Sequence, residues 1–412
     1  MSKLDRLIAE LCPDGVKYQN LGSFATIVRG GNFQKKDFSE NGVPCIHYGQ
    51  IYTRYGLFAS ETISSITAEA ANKSKFAVKN DIIMAVTSEN IEDVCKCVAW
   101  LGDEDIAVSG HTAIIHHNQD AKYLSYYFHS AMFYKQKIKL AHGTKVIEVT
   151  PSKLASIKVP LPPLPIQREI VRILDNFTEL TAELTAELTA RKKQYEYYRN
   201  ELLTFGDDVP MVSLGTIIYS LKTGLNPRKN FSLNTDGAEN YYVTVREIID
   251  GRVVFLDKTD KVDDEALVLI KKRSALEAGD VLFSGTGTIG RTAVIAETPV
   301  NWGIKEGVYV IKPKQECIMS RYLSHILNAD QTIERYKRKI VGSPVASLPM
   351  ADLNKLSIPL PSLEQQERIV AILDKFDALT TDISSGLPAE IAARQKQYEY
   401  YRDKLLTFKE VS

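Results

Sequence analysis

Residues 160–205 constrain the chain most. They read VPLPPLPIQREIVRILDNF, then TELTAELTAELTA, then RKKQYEYYRNELLTF. Pro162, Pro163 and Pro165 fix an extended entry that can start a helix but not continue one. Beyond them Ile170, Leu174, Phe177, Thr181, Leu184, Leu188, Arg191, Tyr195, Tyr198, Leu202 and Phe205 recur at alternating spacings of four and three. A seam held for about five heptads is the pattern of a coiled-coil helix. At 1.5 Å per residue it predicts a rod of roughly 60 Å. A rod of that length exceeds what one small domain needs, so it is expected to space two things apart.

The stretch recurs near the other end of the chain. Val171 to Phe177 matches Val370 to Phe376 at an offset of 199, and Lys193 to Arg199 is identical to Lys396 to Arg402 at an offset of 203. The second copy is therefore four residues longer. Four extra residues in a heptad pattern are a stutter, located near Gly386-Leu387-Pro388, where a helix should break or kink. Within the first copy, Thr181–Leu184 and Thr185–Leu188 are identical tetrads.

At 412 residues the chain is expected to hold two or more domains. Its net charge of zero argues against a uniformly basic coat, though not against local basic patches. The N-terminal MSKLDRLIAELCPDG has no uncharged apolar core and reads as no secretory signal, and no run approaches a membrane span. The five cysteines are scattered and suit a reducing, cytoplasmic compartment as buried thiols.

In order, residues 2–11 read as a short amphipathic helix ended by Cys12-Pro-Asp-Gly15. A mixed region follows, with strand-like runs at Ala25–Val28 and Asp81–Val86 and one helical candidate over 121–140. After the rod, Gly206-Asp-Asp-Val-Pro210 breaks the chain and a second mixed region begins. Asn20-Leu-Gly-Ser23 matches Ser213-Leu-Gly-Thr216, Asn80-Asp-Ile-Ile83 matches Gly279-Asp-Val-Leu282, and Gly143 matches Gly342. The two regions share a frame and differ in their loops, as expected when loops carry recognition. The predicted plan is α+β: two mixed α/β modules separated by two long antiparallel coiled-coil helices. Its boundaries are 1–16 (N-terminal helix), 17–150 (first module), 151–208 (central helical spacer), 209–350 (second module) and 351–412 (C-terminal spacer).

Phe283-Ser-Gly-Thr-Gly-Thr-Ile-Gly290 matches G-x-G-x-x-G and the F-x-G-x-G loop of methyltransferases. A nucleotide- or S-adenosylmethionine-dependent enzyme using residues 283–290 needs a helix beginning near Ile289. The next stretch, Arg291 to Ala296, is instead strand-like, and an Asn/Asp-Pro-Pro-Tyr/Phe tetrad is missing from the sequence. A Gly-rich hairpin presenting Thr286, Thr288 and Arg291 is the expected structure. Histidines and cysteines give no ligand spacing for a metal. No nucleophile–base arrangement can be proposed from residue order.

Basic clusters interleaved with glycine, asparagine and aromatics point to phosphate contact. In the first module they supply Arg29, Asn32, Gln34, Lys35 and Lys36, with Arg54 and Lys145 completing the candidates. In the second module they supply Lys222, Asn226, Arg228 and Lys229 after the matching first strand. Tyr134–Lys139 and Arg335–Lys339 precede the paired glycines, and the latter run adds Arg335, Lys337 and Arg338. Base reading would fall to Asn, Gln, Thr or Arg in the divergent loops.

The Pro-Leu-Pro-Pro-Leu entry, Gln167, Ile170-Val171-x-Ile-Leu-Asp175, the Thr-Ala-Glu-Leu repeats and Arg191-Lys-Lys-Gln-Tyr-x-Tyr-Tyr-Arg199 resemble the specificity subunits of type I restriction–modification systems. So do Pro359-Leu-Pro-Ser-Leu363 and Gln365-Gln366. The resemblance implies two target-recognition domains, each reading one half of a bipartite site in double-stranded DNA. It implies helices that set the gap and bind two methyltransferase (modification) subunits, with restriction and translocase subunits joining them. It implies a non-catalytic chain, with S-adenosylmethionine, ATP and magnesium on the partners and no cofactor or metal of its own.

Overall fold

The computed structural model describes residues 2–228, 230–342, 344–381 and 386–411. The chain divides into two compact units, Met1–Glu183 with Ala392–Ser412, and Leu184–Ile391. Each unit holds one α/β module and a segment of each spacer.

The first unit opens with the helix Lys3–Leu11, capped by Ser2, whose hydroxyl accepts from the Asp5 amide. Its module is built on a five-stranded sheet in the order Ala25–Arg29, Thr112–His117, Ile82–Ala85, Cys97–Trp100, Phe58–Ala59. Ile114 stands beside Val28 on one side and Ile83 on the other, and Ile82–Ala85, Cys97–Trp100 and the first four residues of Thr112–His117 are buried. A second five-stranded sheet runs Phe38–Ser39, Ser64–Ile66, Val43–Ile46, Ile106–Val108, Lys75–Ala77. The helical candidate over 121–140 is two helices, Ala121–Phe128 and Ala131–Leu140. Ser130 divides them, because its hydroxyl accepts from the Phe133 amide and caps a new helix start.

The second unit repeats this plan with fewer strands. Its main sheet runs Ile218–Thr223, Val308–Pro313, Val281–Ser284, Thr292–Val294, and its second sheet runs Lys261–Val262, Asn240–Val243, Trp302–Ile304. Leu282 pairs with Val310 and Ala293 as Ile83 pairs with Ile114 and Val98. A buried aspartate opens the central strand in both modules. Asp81 bonds His116 Nδ1 at 2.9 Å, and Asp280 bonds Lys312 Nζ at 2.9 Å. Burial pushes both carboxyls up in pKa, and hydrogen bonds offset part of it, from the Val78 amide and His116 to Asp81 and from Lys312 and the Glu277 amide to Asp280.

The first spacer is one helix, Leu164–Leu202. The seam residues Thr181, Leu184, Leu188, Arg191 and Tyr195 are half-buried, while most of the residues between them are exposed. The second spacer holds two helices, Leu363–Thr381 and Leu387–Leu405, in keeping with the break expected near Gly386-Leu387-Pro388. Pro388 occupies the first turn of the latter, where its missing N–H costs nothing. Residues 382–385, next to the expected stutter, lie outside the described residues. The seam pairs the spacers antiparallel within each unit. Phe177 stacks on Tyr401 at 5.4 Å in the first, and Tyr198 stacks on Phe376 at 5.6 Å in the second. Tyr398 is buried and Tyr195 half-buried, but Tyr198 stays 39% exposed, more than its seam position predicts.

One polar joint fastens each module to its spacer. Gln167, fully buried, accepts from the Asp120 amide at 3.0 Å and donates to Pro162 O and Gln119 Oε1. Gln366, also fully buried, accepts from the Met319 amide at 2.9 Å and donates to Pro361 O and Cys317 O. The hydroxyl of Tyr123 donates to Pro160 O, and that of Tyr322 to Pro359 O. The joints differ beneath the helix. Leu57 O accepts from Ala99 N, and Leu57 and Phe58 pack on the core. The matching carbonyl on Val294 N is that of Gly251, and a cavity of about 500 Å3 opens beside it, lined by Arg199, Arg321, His325 and Asn328.

Candidate nucleic-acid interface

The loops that differ between the modules meet at one corner of each, and both corners are built the same way. A strand of the second sheet, Val43–Ile46 or Asn240–Val243, runs parallel to its neighbour and ends in a capped turn. In module 1 the cap is His47, whose Nδ1 accepts from Gly49 N at 3.2 Å while Gln50 Oε1 accepts from His47 N at 2.9 Å. In module 2 it is Thr244, whose Oγ1 accepts from Arg246 N at 3.2 Å while Glu247 Oε2 accepts from Thr244 N at 2.8 Å. Each arrangement satisfies orphan donors reciprocally, so the turn is rigid. Beside it lies the loop after the first strand. Gly31 N donates to Val108 O, and Leu225 N to Ile304 O, setting Asn32 and Asn226 at equivalent points.

The third side is the loop leaving the central strand. Thr87 pairs with Glu148 in module 1, and Thr286 with Ser347 in module 2. The paired segments return from turns at Gly143 and Gly342, whose φ values are +112° and +98°. A Cβ there would stand 2.0 and 2.6 Å from the carbonyl oxygens of Val146 and Val345, so both turns require glycine.

The side chains on these equivalent frames differ. Module 1 presents rings. The His47 ring lies 4.5 Å from that of Tyr48, Tyr48 lies 4.9 Å from His111, and His111 Nδ1 is 3.2 Å from Thr87 Oγ1. Burial lowers the His47 pKa, and the electrostatic influence of Lys35 and His111 lowers it further. Module 2 presents a cleft of about 500 Å3 whose wall includes Asn226, Thr244, Arg246, Asp260, Thr286 and Lys305.

Residues 284–291 form the hairpin expected of them. Val281–Ser284 pairs antiparallel with Thr292–Val294, and Ser284 N donates to Arg291 O across the turn. No helix follows Ile289, which removes the dinucleotide or methyl-donor reading of this loop. The four cysteines Cys12, Cys45, Cys95 and Cys97 are buried, Cys317 is half-buried, and all five are free thiols. Burial pushes Cys95 up to about 12, so it is inert. Among the described residues the one His/Cys/Asp/Glu cluster of metal-binding spacing is His325, Asp374 and Asp377. The Arg321 guanidinium already holds both of its carboxylates, at 2.6 and 2.8 Å.

The candidate side chains fall into two groups. Asn32, Gln34, Lys35, Lys36, Arg54 and Lys145 are exposed on module 1 loops, and Arg228, Thr288, Lys337 and Arg338 are exposed on module 2. Asn226 and Thr286 share the module 2 cleft. Others are engaged within the fold. Arg29 pairs with Glu148 and Gly110 O, Arg291 donates to Val245 O and Ile248 O, and Arg335 donates to Ser357 O. Lys222 lies within its strand and is half-buried, and Lys229 lies outside the described residues. Lys137, inside the cluster over 134–139, is buried with its ammonium on Glu92 O and Val94 O. Sequence reasoning passed over His47, His111, Arg246 and Lys305. The signals were the capping patterns His47-x-x-Gln50 and Thr244-x-x-Glu247, at matching places in the repeat.

Comparison with known proteins gives one answer. The family profile of the type I restriction modification DNA specificity domain matches residues 13–191 and 206–393. The specificity subunit of the type I restriction enzyme EcoR124I/EcoR124II from Escherichia coli is 37% identical over 62% of this chain and 65% of its own length. A putative type I specificity subunit from Haemophilus influenzae is 36% identical over 65% of this chain and 68% of its own. The alignment thus spans just under two thirds of the E. coli relative. The crystal structure of a type I S subunit from M. genitalium superposes with a TM-score of 0.51 at 16% identity, covering 95% of this chain and 96% of that one. A chain from work on complex assembly and conformational transition of the type I R-M system gives 0.59 at 17%, covering 96% and 98%. Both share the fold. With the specificity domain matched twice and mixed α/β modules observed twice, the chain belongs to the specificity subunits of type I restriction–modification systems.

Proposed function

We propose that each module reads one half of a bipartite site in double-stranded DNA. The reading edge is the corner carrying Asn32 and His111 in module 1, and Asn226, Arg246 and Thr286 in module 2. The observation that carries this is the corner itself: the same strand pairing, capped turn and glycine return recur twice, under different exposed side chains. A fixed frame under variable side chains suits sequence reading, because phosphate contacts position a protein and base contacts discriminate. Lys35, Lys36, Arg54, Lys145, Arg228, Lys337 and Arg338 would serve phosphate. The spacer helices would set the gap between half-sites and bind two methyltransferase subunits, to which restriction and translocase subunits attach. The chain supplies recognition and no catalysis. S-adenosylmethionine, ATP and magnesium would belong to the partners. No helix among the described residues is long and apolar enough to cross a membrane, and we place the work of the complex in the cytoplasm.

The test is selection from random duplex DNA by the full chain assembled with its methyltransferase subunits. Recovery of two short sequences separated by a fixed unspecified gap is expected. Recovery of no common sequence, or of one continuous sequence, would refute the proposal.

A further inference from the structure

Arg246 stands where module 1 has Gly49. Both occupy the second position of the capped turn, and the cap bonds their amides alike. The side chain lines the module 2 cleft and is 50% exposed. It is also held. Its Nε donates to Thr244 Oγ1 at 3.3 Å and lies 3.7 Å from Glu247 Oε1, a carboxylate with no exposure. Its Nη2 donates to Asp260 Oδ2 at 2.8 Å. Asp260 is fixed in turn, since its Oδ1 accepts from Asn234 Nδ2 at 2.9 Å.

A guanidinium has five N–H donors in one plane. Two are committed here, one on Nε and one on Nη2. Those that remain lie on the outer edge, two on Nη1 and one on Nη2. That edge can donate two parallel bonds to a pair of acceptors, and its rotamer entropy has already been spent on Thr244 and Asp260. In the major groove, guanine alone offers two acceptors side by side, N7 and O6. A carboxylate next to DNA is unfavourable unless paired, and Asp260 is paired with the arginine it braces.

We propose that Arg246, braced by Asp260, reads a guanine in the half-site of module 2, and that Gly49 leaves module 1 without a counterpart. The proposal rests on the DNA-reading function above and adds to it one base at one position. Asp260 acts as a positioning residue, since it touches the arginine rather than the base.

Binding-site selection by the full chain in complex with its methyltransferase subunits tests it, using wild type, Arg246→Ala, Arg246→Lys and Asp260→Asn. Wild type should show an invariant guanine in one half-site. Arg246→Ala and Arg246→Lys should both lose that preference, on the order of tenfold to a hundredfold against the other bases, with the second half-site unchanged. Lysine keeps the charge but not the planar fork, so Arg246→Lys carries the test even where the alanine variant folds poorly. Asp260→Asn should weaken the same preference without abolishing it. Uniform weakening on all sequences would make Arg246 a phosphate contact, and unchanged selection would make it a structural ion pair; either overturns the inference and leaves the DNA-reading function standing. Selection of no bipartite site by wild type would overturn both.

Discussion

Replacing Gln366 by leucine should loosen module 2 from its spacer helix. The Gln366 side chain has no exposure and makes three hydrogen bonds, at 2.9 Å to Met319 N, 3.0 Å to Cys317 O and 2.9 Å to Pro361 O. Leucine has similar volume, so packing changes little, but all three backbone groups lose their partner. A buried polar group left unpaired costs about 1–3 kcal/mol, and carbonyls recover part of this more readily than an amide does. The expected loss is therefore roughly 3–6 kcal/mol, centred on the start of the helix Ser320–Leu327. Hydrogen exchange followed by mass spectrometry would read it as faster exchange over residues 317–327, with the central strand Val281–Ser284 less affected. Gln167→Leu should do the same in the first unit, at the Asp120 amide. Protection within about 1 kcal/mol of wild type in both variants would mean that the joint is held by packing alone.

Three further outcomes follow from the same features. Deleting Thr181–Leu184 removes about one helical turn, roughly 6 Å, and should shorten the preferred gap by one or two base pairs at 3.4 Å each with both half-sites unchanged, scored by binding to duplexes of graded gap length. Changing Lys35, Lys36, Arg228 and Lys229 to alanine should weaken binding to every sequence and flatten its salt dependence, read from binding constants over a range of salt. Asp374 bears on acid stability: burial pushes its carboxyl up, but hydrogen bonds from His325 and Arg321 outweigh this and hold it at about 2. A depressed carboxyl stabilises the fold above its unfolded value near 4 and loses that contribution as pH falls through about 2. Asp374→Asn should therefore flatten the fall in unfolding temperature between those two values.

The periodic and repeated parts of the fold were legible in the sequence because they depend on local spacing. The helix that carries the seam from Ile170 to Leu202, the paired glycines and the strand-like run after Ile289 follow the sequence reading, with Tyr198 the seam position that stays exposed. Places where one side chain overrode a pattern were harder. Ser130 splits an otherwise continuous helical pattern by capping the amide of Phe133. Pro388 is visible in the sequence, yet the length of each resulting helix is not. Charge clusters gave the least. Lys137 and Arg291 look like Lys35 in the sequence, but backbone carbonyls far away in sequence take up their donors. The corners needed the fold itself, because residues 32, 47, 87 and 111 become neighbours only through strand register.

The cavity beside Gly251 gives the two joints different mechanical character. In the first unit Leu57 and Phe58 fill the space under the docking helix, and the Phe58 ring lies 5.7 Å from that of Tyr126 and 4.5 Å from the Lys122 ammonium. Close-packed side chains resist small displacements in every direction, since any shift forfeits contacts. In the second unit the helix Ser320–Leu327 is backed on that side by polar groups around open volume. Arg321 and His325 hold Asp374 beside that volume by hydrogen bonds of 2.6 to 3.3 Å. If the modules bind a curved or kinked duplex as proposed, the looser packing predicts that the second joint yields before the first.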